Sequence, residues 1–142
     1  MKVFIVSLAI IIMQLSSIIF ASDLFRYNNA RFRLKLLAEE CAAGCAVQYD
    51  DDEYENGNIV FRNDAASYAS DLISYKSTHD PVFMNGTLRL LSFEAKSDTD
   101  SPYVAVSLSY TADRDYFRLP IINEHTISHQ SKYEFVVIED DT

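Results

Sequence analysis

The feature that most constrains this chain is an uncharged run of 20 residues, Val3 to Ser22, lying between Lys2 and Asp23 (VFIVSLAIIIMQLSSIIFAS). About 20 apolar residues rising 1.5 Å each cross the ~30 Å hydrocarbon layer of a bilayer. A buried core helix is a poor explanation for the run, because so little protein remains to surround it. Two other readings compete. In the first it is a cleaved signal peptide, with Lys2 as the positive start and Ile19-Phe20-Ala21 as the cut site. In the second it is a retained single-pass anchor; it exceeds the usual 7 to 15 residue apolar core of a signal peptide, which favours retention. Both readings carry residues 23–142 out of the cytoplasm. The flanking charge points the other way, since Arg26, Arg31, Arg33 and Lys35 all follow the run. Export of a whole domain can override that bias, and the two signals stay in conflict.

Nothing forces a break after the run, because no Gly or Pro occurs from Val3 to Ala43. Leu24, Tyr27, Arg31, Leu34, Leu37 or Ala38, Cys41, Cys45 and Gln48 recur at alternating steps of three and four, the period of one helix face. One helix is therefore expected over residues 3 to about 49, apolar all round at first and amphipathic later. The acidic run Asp50 to Glu55 opposes the negative end of a helix dipole and is expected as a solvated loop. Within the helix, Ala38, Cys41, Ala42, Gly44 and Cys45 form a small-residue patch that lets another surface approach closely. Gly44 costs roughly 1 kcal/mol of helix propensity against Ala, so close approach is a reason to keep it. The two Cys read as small packing residues rather than a redox or metal pair.

Downstream, Glu55-Asn56-Gly57-Asn58 is a turn signal and Ile59-Val60-Phe61 a short extended piece. Asn63 or Asp64 caps a second helix with Ala65, Tyr68, Ala69, Leu72 and Ile73 on one face, ending near Lys76. Thr87 to Ala95 is strand-like with a mixed pattern. Tyr103 to Thr111 alternates strictly, setting Val104, Val106, Leu108 and Tyr110 on a core face and Ala105, Ser107 and Ser109 on the other. Ser97 to Pro102 joins those two strands. A turn at Phe117-Arg118-Leu119-Pro120 leads to a last extended run, Thr126 to Ile138, with Tyr133, Phe135 and Val137 on one face, before a solvated tail. A long helix, a short helix and a three- to four-stranded antiparallel sheet make an α+β module, with residues 1–22 as anchor and 23–142 as one domain.

Several chemistries are excluded. The 142 residues include 21 acidic and 12 basic ones, a net charge of -9, which speaks against nucleic acid as a partner. Three Gly leave no phosphate loop, and two Cys make no disulfide scaffold or four-Cys zinc site. From Asp52, a calcium-loop pattern fails at Tyr54 and Asn63. His125 and His129 would share a strand face but lack further ligands, and His79-Asp80 reads as a turn before Pro81. No Ser sits in a nucleophile elbow, and neither Cys has a partner base. Asn85-Gly86-Thr87 matches a glycosylation acceptor, though a turn explains it more simply. No catalytic constellation, cofactor or metal site is expected.

The order of parts then resembles that of type IV pilin-like subunits, and in detail the TadE/TadG-like pseudopilins of tight-adherence (Tad, or Flp) pilus systems. Three segments carry the resemblance: LKLLAEECAAGCAVQYD (34–50), NGNIVFRNDAASYASDL (56–72) and VAVSLSYTADRDYFRLPIINEHTISHQSKYEF (104–135). The resemblance implies a membrane-anchored minor pilin or pseudopilin without turnover. Its expected partners are the bilayer, through Val3 to Ser22, other pilin-like subunits and pilus assembly proteins. The domain would be extracytoplasmic, incorporated in a pilus or secreted. One feature departs from the family. Pilin-like precursors carry a basic leader ending in Gly, then Glu a few residues inside the run. Here Met1 and Lys2 precede Val3, and Ser7 and Leu8 stand where the acid is expected, so either the subunit is not cleaved by a prepilin-type peptidase or a leader precedes Met1. The alternative from a different class is a secreted, signal-peptide-cleaved acidic binding protein that recognises a ligand or cell surface.

Overall fold

The computed structural model describes residues 1–97, 101–119 and 124–135. The layout is α+β and pilin-like. Helix α1 runs unbroken from Lys2 to Ala46, a length of about 68 Å at 1.5 Å per residue. It is followed by α2 (Asp51–Glu55), α3 (Ala65–His79) and strands β1 (Gly86–Lys96), β2 (Tyr103–Ala112) and β3 (Thr126–Glu134). The strands form one antiparallel sheet in the order β1-β2-β3. The second half of α1 lies across β2 and β3, and α3 packs on α1 and β1.

The sheet shows how pattern becomes packing. Val104, Val106, Leu108 and Tyr110 of the central strand are all buried on the helix side. Their cross-strand partners Leu88, Leu90, Phe93 and Ala95 on β1 share that face. The step from even to odd numbers happens because Leu91 is bulged out of register and exposed; that bulge is why the sequence of this strand reads as a mixture. Ala105 and Ser109, expected on an open face, are also buried. They are small residues on the central strand: Ala105 lies between Glu94 and Lys132, and Ser109 between Arg89 and Ser128.

Four expectations need correction. Helix α1 ends at Ala46, three residues before Tyr49, and Tyr49 instead forms a β-bridge with Phe61. The acidic run is not a loop. Asp50 caps α2 by accepting from the N–H groups of Asp52 and Glu53, at 3.0 and 3.4 Å. Asp51, Asp52 and Glu53 then sit at its positive N-terminal end, where the dipole favours them. The buried stripe on α1 also differs at its start: Leu34 is buried as expected, but Asp23 and Ala30 are buried before it, whereas Leu24 and Arg31 are exposed. Finally, α3 continues past Lys76 to His79. The turn at Glu55–Asn58 is present, with Gly57 at φ +84, a conformation that suits glycine. Residues 98–100 of the β1–β2 connection, Pro120, Val137, Ile138 and the tail lie outside the described residues.

Candidate functional site

The first candidate is the apolar half of α1. Every side chain from Met1 to Leu15 is exposed. Ten large apolar ones stand among them, from Val3 and Phe4 to Met13 and Leu15. Each costs roughly 1.5–3 kcal/mol to keep in water rather than in an apolar medium. Ten of them together rival the whole stability of a small domain, about 5–15 kcal/mol. This is one helix long and apolar enough to be compatible with a single membrane span.

The second candidate is the junction between that half and the domain. Asp23, the first charged residue after the run, is only 1% exposed. Its carboxylate accepts from the Arg118 backbone N–H at 2.9 Å and from Arg118 Nε at 2.8 Å, and Arg118 Nη2 lies 2.7 Å away. The bonds from the Arg118 side chain, then from its backbone, hold the Asp23 carboxyl below its ordinary value, against the opposing effect of burial. An aromatic cluster closes around the pair. Phe20 stacks on Phe117 with centroids 5.8 Å apart, and Tyr27 meets Phe117 and Tyr116 at 5.6 and 5.4 Å. The Tyr27 hydroxyl donates to Glu124 at 3.1 Å. Tyr116, Phe117, Arg118 and Glu124, which lie between β2 and β3, are thus clasped to α1 where the apolar run ends.

Beside the clasp opens a cavity of about 520 Å³, walled by α1, the turn after α3 and the segment after β2. Arg26, Asn29, Asn85, Asp113 and Arg114 supply its polar lining. Tyr116, 4% exposed, also lines it. Its hydroxyl is buried and finds no hydrogen-bond partner among the described residues. Leaving a buried hydroxyl unpaired costs about 1–3 kcal/mol. Burial raises the Tyr116 phenol above its ordinary value, so it is a donor at neutral pH.

The small-residue patch faces inward. Ala38, Cys41, Ala42 and Cys45 are buried within the chain's own core. A Cβ on Gly44 would stand 2.0 Å from Tyr68 Cε1, so α3 makes the close approach. The thiols of Cys41 and Cys45 are free. Burial, and then the charges of Cys45 and Glu40, push Cys41 up to about 12, so it is unreactive near neutrality. The basic residues that follow the run have local partners. Arg26 lies 3.8 Å from Asp23, Arg33 3.8 Å from Asp80 and Lys35 3.8 Å from Glu39, and Arg31 sits over the Tyr27 ring.

His125 precedes β3 rather than lying in it, and its Nδ1 is 3.4 Å from Asp115. Among the described residues no three His, Cys, Asp or Glu side chains gather as a metal site. Sequence reasoning missed Asp23, Arg118 and the cavity. The signal for Asp23 was its place in the three-and-four rhythm through Phe20, Asp23, Tyr27 and Ala30. Compared with protein-family models, curated proteins and solved structures, the chain finds no match in any of the three.

Proposed function

We propose that the protein is a membrane-anchored, pilin-like structural subunit of a Tad-type pilus assembly or secretion system. It acts by helix association, without turnover. The observation that carries this reading is the continuity of α1. One helix passes from an exposed apolar half into the core of an α+β domain without a break. Loss of the first half by cleavage after Ala21 would remove Phe20, which stacks on Phe117 within the clasp. The fold therefore favours retention over the secreted, cleaved alternative.

A second feature supports association. Ile11, Ile18, Phe25, Phe32 and Leu36 are exposed and recur at steps of seven and four. That spacing sets them on one face of α1, with Leu36 at its end bordering Lys76, Asp80 and Phe83 of the domain. The ridge runs from the anchor out past its end, as a surface for the helix of another subunit would.

The test is single-cysteine cross-linking in native membranes. Phe32→Cys stands on the ridge beyond the anchor; Ser70→Cys, exposed on α3, is the control. The native thiols are buried and do not compete. Oxidation is expected to give covalent dimers, or links to other pilin-like subunits, through Phe32→Cys and none through Ser70→Cys. Equal or absent cross-linking at both positions refutes the association role.

A further inference from the structure

The cavity beside the clasp has the size of a small-ligand site, within the range of about 300–1,000 Å³. Its charge is unlike that of the chain. Arg26 and Arg114 face it with one carboxylate, Asp113, in a protein whose net charge is -9. Arg26 is loosely committed, because Asp23 is already bonded by Arg118 at 2.7 to 2.9 Å while Arg26 stands 3.8 Å off. The Tyr116 hydroxyl is a buried donor with no partner among the described residues. Two guanidinium groups and a phenol donor match an anion with several acceptor oxygens. Position narrows the class further. Arg26 lies four residues past Ser22, about 6 Å along the helix axis. The headgroup layer adds roughly 5–8 Å to each side of the hydrocarbon core.

We propose that this cavity binds a phosphate group, with Arg26 and Arg114 taking its oxygens and the buried Tyr116 side chain shifting to donate its hydroxyl. A lipid headgroup and free phosphate offer the same chemistry, and the height of Arg26 favours the headgroup. The lipid source rests on the membrane-anchored reading; the site itself does not, and no pilus role is needed for either.

The test uses the full-length chain in nonionic detergent with three probes: dioleoylphosphatidylglycerol, dioleoylglycerol as the same lipid without phosphate, and inorganic phosphate at matched ionic strength. Retained lipid is read by native mass spectrometry and phosphate by the shift in thermal unfolding. The phospholipid is expected to be retained over dioleoylglycerol. Arg114→Gln should weaken it by about tenfold, the loss of one charge-assisted hydrogen bond. Tyr116→Phe should weaken it severalfold and yet unfold at no lower temperature than the native chain, since the hydroxyl it removes is unpaired. Response to inorganic phosphate with the same dependence on both variants, and no lipid preference, supports the site with a soluble ligand. The proposal is overturned by equal retention of dioleoylglycerol without a phosphate response, by binding unchanged in both variants, or by a lower unfolding temperature for Tyr116→Phe. A chain found soluble and cut after Ala21 refutes the anchored reading, while the phosphate arm still judges the site.

Discussion

Gly44 offers a sharp test of how α1 and α3 pack. Its missing side chain lets the Tyr68 ring lie against the helix backbone. An alanine Cβ there would stand 2.0 Å from Tyr68 Cε1, well short of the 3.4 Å at which contact becomes ordinary. Two effects compete. Alanine gains about 1 kcal/mol of helix propensity over glycine. Overpacking costs typically 1–3 kcal/mol. Tyr68 is 37% exposed, so its ring can swing outward, which places the steric cost near the middle of that range. Gly44→Ala is thus expected to destabilise the domain by about 1 kcal/mol in the native chain. In a Tyr68→Ala background the clash is gone, and the same change should stabilise by about 1 kcal/mol. The sign inverts, and the coupling between the two positions is about 2 kcal/mol. Gly44→Leu, with more atoms to place, should lower subunit accumulation. Urea unfolding of the detergent-solubilised chain, followed by tyrosine near-UV circular dichroism, measures all four members of the cycle. Equal stabilisation by Gly44→Ala with and without Tyr68 would refute the close approach.

Three further outcomes follow from the site. The folded-state value of Asp23 is depressed, so its contribution to stability is present above the ordinary carboxylate range and is lost as pH falls through the folded value. Proteolysis after Arg114 or Arg118 should therefore stay slow at neutral pH and accelerate in acid; in Asp23→Asn it should be fast at neutral pH, with that acid step removed. Cys41 and Cys45 should resist a maleimide at pH 8 in the folded chain and react once it is unfolded, and rapid labelling of the native protein would contradict their burial. Phe117→Ala deletes the ring that meets both Phe20 and Tyr27, and should loosen the clasp by about 3 kcal/mol or more, measured as the fall in protection of nearby backbone amides from hydrogen exchange.

Much of the architecture was legible because it rests on local pattern. The absence of Gly and Pro through Ala43 gave α1, and the alternation from Tyr103 gave the central strand. Asp50 with three acidic residues after it is a readable helix start, but the same acidic run also suits the termination of α1 just before it, and local pattern alone does not separate the two. β1 was obscured by one bulged residue, Leu91, which shifts its inward face from even to odd positions. The clasp was out of reach for a different reason. Asp23 and Arg118 are 95 residues apart, and nothing local to either marks the other as its partner. The cavity likewise draws its walls from three separate segments. Small residues at 38, 42 and 44 mark a place of close approach, but composition does not say whether the approaching surface belongs to the same chain.

The central claim is that one helix anchors the domain and stays attached to it. The direct measurement is the N-terminal sequence of the mature protein combined with alkaline fractionation of the membranes. The account predicts a carbonate-resistant membrane protein that retains Val3 to Ser22. A soluble exported chain beginning near Ser22 would contradict it.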